Sequence, residues 1–223
     1  EDLTEHAQRA MAVLHPIKLT ITNYPEGQGE TLEVENNPNR PEEGGRSVTF
    51  SKHLYVEAED FLPEPAPKYK RLYPNGPECR LKGAYLIKCV GYETDEQGNV
   101  TEILAEYDPD SRGGNPADGR KVKGATIHWV DAATAVDAEV RLYDKLFTEA
   151  NMNGIPEGSD YKDYLNPESV TVRTGCKLEE SLKDAKPGEK FQFVRTGFFT
   201  PDSKNPGVYN RVVTLRDSFK PAK

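Results

Sequence analysis

Short stretches of alternating polar and apolar residues, separated by loops rich in proline, glycine and asparagine, run through most of this 223-residue sequence. Ile17, Leu19 and Ile21 alternate with polar residues, which is typical of a strand buried on one face. The segments 85–90 and 100–107 flank a polar, glycine-containing loop and together predict a β-hairpin. Further strand candidates are 48–50, 54–56, 126–130, 169–173, 191–195 and 209–215. This pattern favours one or two antiparallel barrels or sandwiches.

Helical signals are few. Residues 4–12 predict a short N-terminal helix with Thr4 as its cap. Residues 137–147 fit a helical face through Val140, Tyr143 and Phe147, but they also alternate as a strand would. Periodicity alone leaves both structures open for that segment.

The charge balance argues against general affinity for nucleic acid. The formal net charge is −8, and the acidic excess lies within residues 1–67. A basic field is needed to neutralise phosphates, so RNA binding would have to come from local clusters. The sequence has two, Lys68-Tyr69-Lys70-Arg71 and the stretch 112–123. A basic cluster is more often only solvated surface.

Motifs for catalysis, metal binding and membrane insertion are absent from the sequence. There is no phosphate-binding P-loop and no nucleophile elbow. Cys79, Cys89 and Cys176 are widely spaced and the four histidines are scattered, which argues against a zinc site and for free thiols in a reducing compartment. No apolar run is long enough to span a membrane, and we see no signal peptide. We therefore expect a cytoplasmic protein that binds no metal.

The block from Ala117 to Gly124, followed by Ala125 to Val130, resembles the DGRKVKG…IHW segment of the glutaminyl-tRNA synthetase family. That segment belongs to the anticodon-binding region of the family. Other blocks agree in the same order along essentially the whole chain. They include 9–13, 16–19, 37–41, 69–72, 84–88, 139–147, 166–169 and 191–193.

The resemblance implies an all-β fold made of two six-stranded antiparallel β-barrels, with the second barrel inserted in the first. Residues 1–75 plus 177–223 would form the first, proximal barrel. Residues 76–176 would form the second, distal barrel. The segment 139–147 should then be a strand. The catalytic motifs of the class I synthetases are absent from this sequence, so the chain itself should not activate an amino acid.

The resemblance also implies a site for the central uracil of the anticodon. The family pocket uses an Arg that follows two small residues, here Arg46, and a Gln and an Arg from a late strand, here Gln192 and Arg195. On a strand, Gln192 would lie on the face opposite Phe191 and Phe193. Arg195 would share the phenylalanine face unless the strand ends. The family often has an acidic residue where this chain has Val194.

The stretch 112–123 is implied to hold the first and third anticodon bases and nearby phosphates. Arg120 and Lys121 are the first candidates, and Arg112 and Lys123 are the second. Asn36, Asn37 and Lys18 are weaker candidates for the same surface. Trp129 is expected in the core, because a single tryptophan in a strand seldom serves as a stacking platform.

The implied partners are the anticodon stem-loop of glutamine tRNA and a catalytic domain of the same polypeptide, and the expected oligomeric state is a monomer. ATP and Mg²⁺ would belong to that catalytic domain, and this chain would carry no cofactor. Three alternatives stay open. One is the related anticodon domain of a glutamyl-type synthetase, another is a β-barrel or sandwich interaction module without RNA affinity, and the third is a ribosomal protein of the same barrel type.

Overall fold

The computed structural model describes residues 2–215, which form one short α-helix, sixteen strands and several 3₁₀ turns. The elements are α1 Asp2–His6, β1 Gln8–Ala10, β2 Ala12–Val13, β3 Pro16–Ile21, β4 Gly29–Glu35, β5 Gly45–Ser51, β6 His53–Glu57, β7 Cys79–Leu81, β8 Leu86–Thr94, β9 Val100–Tyr107, β10 Thr126–Ile127, β11 Val130–Asp131, β12 Val136–Tyr143, β13 Val170–Leu178, β14 Phe191–Phe193, β15 Gly197–Pro201 and β16 Val208–Thr214. No helix among these residues is long and apolar enough to cross a membrane.

The strands form two barrel-like sheets and one two-stranded ribbon. The first sheet has the order β1-β14-β15-β16-β12-β13-β2, and the second has the order β10-β7-β8-β9-β3-β6-β11. The ribbon is β4-β5. The all-β prediction with two barrels is confirmed. Each large sheet contains seven strands because its closing segment is divided into two short strands, one at each edge of the sheet.

The closing segments explain how the predicted six strands relate to the observed seven. Residues 8–13 pair through β1 with β14 and through β2 with β13. Residues 126–131 act in the same way in the second sheet, through β10 with β7 and β11 with β6. Counted as one segment each, they leave six strands per barrel. Several pairs are parallel, including β1 with β14 and β3 with β9.

One set of strands is nested within the other along the chain. All strands of the second sheet lie between β2 and β12, and the first sheet holds both the first strands and the last. The strands do not separate at the predicted boundaries 75/76 and 176/177. The reason is that β9 pairs in parallel with β3, and β13 runs across residue 176. Residues 1 and 216–223 of the predicted first barrel lie outside the described part of the chain.

Two local expectations were decided by pairing partners far away in sequence. The predicted helix over residues 4–12 is wrong, since the helix ends at His6 and β1 begins at Gln8. Pairing of β1 with β14 and burial of Ala10 outweigh the local helical signal. The ambiguous segment is a strand over Val136–Tyr143, as the resemblance implies.

Each barrel has its own core. Trp129 and Phe50 lie fully buried in the larger cluster, where their rings meet edge to face with centroids 5.4 Å apart. Phe193 and Phe199 stack at 4.2 Å in the smaller cluster of the first sheet. The expectation that Trp129 is a core residue is therefore confirmed.

Candidate nucleic-acid interface

Arg46 is a tie between sheets. It is the second residue of β5, after Gly45, and the preceding Gly44 has a φ of 68°, which belongs to the left-handed region that suits glycine. Its guanidinium forms a two-point ion pair with Glu179, with Nη2 2.8 Å from Oε2, and its Nη1 donates to the Glu35 carbonyl at 2.8 Å. Only 7% of the Arg46 side chain is exposed. Its predicted contact with a base stays a prediction, and its visible contacts are internal.

Asn36 and Asn37 follow β4. Asn37 is buried, and its Nδ2 donates to the Glu5 carbonyl at 2.6 Å, which docks the N-terminal helix. The Nδ2 of Asn36 donates to the Glu43 carbonyl at 3.1 Å, while its Oδ1 is buried without a hydrogen-bond partner in the part of the chain that the structure describes. A buried acceptor left unpaired is costly and marks a place where a donor is expected.

Gln192 has the same property. It lies on β14 between Phe191 and Phe193, which point into the core as predicted, while its Oε1 is buried and has no hydrogen-bond partner among the described residues. Its partner in the ladder is Arg9, in parallel register on β1. Paired residues of neighbouring strands present their side chains on the same face. Arg9 and Gln192 are therefore neighbours on the same face of the sheet.

Arg9 is a further candidate contact that the sequence patterns do not indicate. Its guanidinium is bonded to the carbonyls of Ala7 and Thr4, at 3.0 and 3.1 Å, and no carboxylate within residues 2–215 pairs with it. Burial lowers the pKa of this guanidinium. The Arg9 backbone N–H also donates to the Asn36 carbonyl at 2.7 Å. Arg9 is therefore a neighbour of two predicted site residues, Asn36 and Gln192. Only the β1–β14 register reveals this grouping.

Arg195 leaves the phenylalanine face because the strand ends at Phe193. Arg195 has a φ of 67°, and its two terminal nitrogens bind Asp60 at 2.9 and 2.6 Å. Asp60 is completely buried and also pairs with Arg71, at 3.3 Å. The acidic residue that Val194 fails to provide is therefore supplied from the turn after β6.

Arg112 and Arg120 anchor the loop that carries them. Arg112 Nε binds Glu30 at 3.2 Å, and its Nη2 donates to the Thr31 carbonyl at 3.0 Å. Arg120 grips Glu78 with Nε and Nη2, at 2.9 and 2.7 Å. It also binds Asp108 and Asp118, at 2.5 and 3.0 Å. These carboxylates, Glu78 first, raise the pKa of the Arg120 guanidinium.

The remaining cations of that loop face solvent. Lys121 and Lys123 are exposed, and Lys18 is exposed on β3. The Ala125 N–H donates to the Lys70 carbonyl at 2.7 Å, so the two basic clusters of the sequence, far apart in the chain, lie side by side. Together Lys68, Lys70, Arg71, Lys121 and Lys123 form what we call the basic strip.

An open cavity of about 280 Å³ lies between β4 and the loop after β7. Its lining is Glu33, Val34, Glu35, Lys82, Gly83 and Gly113. Gly83 has a φ of 69°, and a Cβ added there would lie 2.9 Å from a Val34 methyl. The cavity is large enough for a single nucleobase, and both hydrogen-bond donors and acceptors reach it.

A buried polar group supports the crossing from the first sheet to the second. Glu57 accepts from the backbone N–H groups of Leu14 and His15, at 2.8 and 2.9 Å, and binds buried His128 at 3.2 Å. Burial raises the pKa of the Glu57 carboxyl, but the His128 bond and charge and these N–H donors outweigh it. The net pKa is below the usual value, so the carboxylate is the stable form.

No group of three or more metal-ligating side chains occurs within residues 2–215. The interface thus consists of orphaned acceptors beside Arg9, the Arg195–Asp60–Arg71 group, the basic strip and the cavity. Unstacked bases offer both edges and phosphates to such groups. These groups are therefore the candidate contacts for an unstacked base or a phosphate.

Comparison with known proteins identifies the family of the chain. Two family models match residues 7–108 and 126–202, and both describe the anticodon-binding domain of class I tRNA synthetases for glutamate and glutamine. The chain belongs to this family of anticodon-binding domains.

The similar curated proteins are glutamine–tRNA ligases. The chain is 50% identical to the glutamine–tRNA ligase of Clostridium perfringens, over 99% of this chain and 40% of the relative. It is 49% identical to that of Pseudomonas syringae pv. tomato, over 98% of this chain and 38% of the relative. It is 51% identical to that of Vibrio cholerae, over 98% and 39%. The chain spans about 40% of the length of these ligases.

Proposed function

We propose that this chain binds the anticodon stem-loop of glutamine tRNA on behalf of a longer glutamine–tRNA ligase. The observation that carries the proposal is the pair of buried acceptors, Asn36 Oδ1 and Gln192 Oε1, on two residues that both neighbour Arg9 through its backbone. Glutamine anticodons share a central uracil. Its N–H would satisfy an orphaned oxygen, and its carbonyl oxygens would accept from Arg9.

The proposal places the uracil contact at Gln192 and Arg9. Arg46 is already bonded to Glu179 and Glu35 and would act by holding β5 in place. Arg195 would contact the neighbouring part of the loop from its position on Asp60. Lys121, Lys123 and Lys70 would contact phosphates, since they are exposed cations that lie together.

The remaining functions would belong to the rest of the longer polypeptide. Amino-acid activation with ATP and Mg²⁺ would take place in its catalytic domain, and this chain would supply recognition alone. We place the protein in the cytoplasm as a monomer. Its three free, buried cysteines support a reducing compartment, and burial raises the pKa of Cys79 to about 12 and of Cys176 to about 11.

The test compares binding of four RNA hairpins by fluorescence anisotropy. They are the glutamine anticodon stem-loop, the same hairpin with its central uracil replaced, the glutamate anticodon stem-loop and a ribosomal RNA hairpin. Native protein should prefer the first. Gln192→Ala should weaken binding of that hairpin roughly tenfold or more and should remove the preference for uracil. The matched control Gln28→Ala, at an exposed position, should bind like native protein.

Each alternative has its own outcome. Equal binding of all four hairpins would contradict the decoding role. Preference for the glutamate hairpin would favour a glutamyl-type domain. Preference for the ribosomal hairpin would favour the ribosomal-protein alternative, and the absence of all binding would favour an interaction module without RNA affinity.

A further inference from the structure

Two arginines from separate parts of the chain share one buried carboxylate. Asp60 ends the 3₁₀ turn after β6 and is 0% exposed. Arg195 comes from the turn between β14 and β15, and binds Asp60 through both terminal nitrogens. Arg71 binds the same carboxylate at 3.3 Å. Asp60 therefore joins a turn of the first sheet to the basic strip.

The backbone fixes this arrangement from the second side. The Leu72 N–H donates to the Asp60 carbonyl at 2.9 Å, and the Leu62 N–H donates to the Leu72 carbonyl at 3.1 Å. These bonds put Arg71 next to Asp60 whatever its side chain does. Arg195 has a left-handed backbone, which a residue with a Cβ adopts only when its surroundings hold it there.

The Arg71–Asp60–Arg195 group has an excess of positive charge and N–H donors that Asp60 does not use. Two guanidinium groups face one carboxylate, so the three side chains carry a net positive charge. The side chains of Arg71 and Arg195 are 41% and 30% exposed, and each guanidinium has five N–H donors. A carboxylate buried without cations would be strongly unfavourable. The ion pairs with Asp60 therefore hold both arginines in place.

We propose that Asp60 is a positioning residue, which fixes Arg71 and Arg195 in a single arrangement so that their contacts with neighbouring nucleotides of the bound loop are energetically coupled. This inference rests on the proposed function. When one guanidinium moves, the hydrogen bonds and the charge that the Asp60 carboxylate provides to the other guanidinium change. Loss of either arginine should therefore weaken the contact made by its neighbour as well as its own.

A double-mutant cycle with the 223-residue chain tests the coupling. Affinity for the glutamine anticodon stem-loop is measured for native protein, Arg71→Ala, Arg195→Ala and the double variant, and again in an Asp60→Asn background. In the native background the observed double effect should differ from the product of the single effects by about fivefold or more, as residues in one network do. In the Asp60→Asn background the effects should multiply within about twofold.

Controls separate positioning from simple loss of folding. Asp60→Glu keeps the charge and should retain discrimination between the cognate hairpin and hairpins changed at single anticodon positions, whereas Asp60→Asn should lose it. Asp131→Asn removes another buried carboxylate, one bonded to Ser51 and Thr134 and, within residues 2–215, to no arginine. It should lower stability while leaving discrimination and coupling intact.

The outcomes distinguish the inference from the function on which it rests. Normal binding with single effects that multiply within twofold in the native background would overturn the coupling alone. Native protein that does not bind the hairpin would overturn both. If Asp60→Asn does not fold, the native-background cycle and Asp60→Glu decide the question by themselves.

Discussion

Arg46 and Glu179 form a buried ion pair that joins the ribbon to the end of β13, although 133 residues separate them in sequence. The Glu179 carboxylate also accepts from the Met11 N–H at 2.7 Å, so it meets the closing segment of the first barrel as well. One carboxylate thereby connects three parts of the chain. The pair is structural in its visible contacts, and it predicts a large effect on stability.

Arg46→Ala should lower the free energy of unfolding by roughly 3–5 kcal/mol, because it leaves Glu179 buried without its cation. Urea denaturation followed by circular dichroism measures this loss. Arg40→Ala is the matched control, since the pair of Arg40 with Glu43 is exposed and should contribute under about 1 kcal/mol. Equal losses of unfolding free energy for the two variants would contradict a structural role of the Arg46–Glu179 pair.

Gly124→Ala should displace the loop that ends at the basic strip. A Cβ there would lie 2.8 Å from the Cys79 sulfur and would also collide with the Glu78 carbonyl oxygen, so the loop must move. We expect a loss of about 1–3 kcal/mol of stability and weaker RNA binding, measured by thermal unfolding and anisotropy. Gly154→Ala, whose added Cβ would meet no atom of the described residues within 4 Å, should leave both unchanged. A stable Gly124→Ala variant with native affinity would be inconsistent with this role for the loop.

Glu57 should make stability fall in acid. Its folded pKa is below the ordinary value of 4.5, so its contribution is present above pH 4.5 and is lost as the pH falls through the folded pKa. The stability difference between native protein and Glu57→Gln should therefore be largest near neutrality and shrink below pH 4.5. Unfolding measured from pH 7 to 3 tests this, with exposed Glu64→Gln as the control. A difference that grows in acid would have the wrong sign.

Tyr24 and Tyr85 should titrate late. Burial and the carboxylate of Glu30, which both hydroxyls contact at 3.2 and 2.8 Å, raise the pKa of each to about 12. Their contribution to stability is complete below pH 10 and is lost as the pH rises towards 12. Ultraviolet titration should show phenolate absorbance from this pair at lower pH in Glu30→Gln. An unchanged titration curve would rule out Glu30 as a cause.

Lys121 and Lys123 should act on the salt dependence of binding. Log affinity for the stem-loop should fall linearly with log salt concentration, and each single alanine variant should flatten that slope by about 0.7 if it removes one phosphate contact. Base preference should not change, since phosphates carry no sequence information directly. Lys162→Ala, an exposed cation elsewhere, provides the control. Native slopes in both variants would exclude these lysines from phosphate binding.

The sequence predicted the parts of the fold whose partners are close in the chain. The β8–β9 hairpin forms where its alternation and polar loop indicate, with Gly98 at a φ of 84°. The error at residues 4–12 has the opposite cause. There the strand partner is β14, about 180 residues away, and no local pattern reports that pairing.

The same division holds for the site. Gln192 was predicted on the correct face of its strand, because the alternation with Phe191 and Phe193 is local. Arg9, Asp60 and the neighbourhood of the two basic clusters depend on register and turns between distant segments. The sequence supplied the side chains, and only the sheet topology showed which of them meet.

The double role of residues 8–13 has a consequence for any redesign of this protein. They close the first barrel by pairing with β14 at one edge of the sheet and with β13 at the other, and this seam includes Arg9. Loosening the seam would misplace a candidate decoding group, and altering that group would strain the seam. The closure of the barrel and the proposed RNA contact of Arg9 therefore depend on the same stretch of chain.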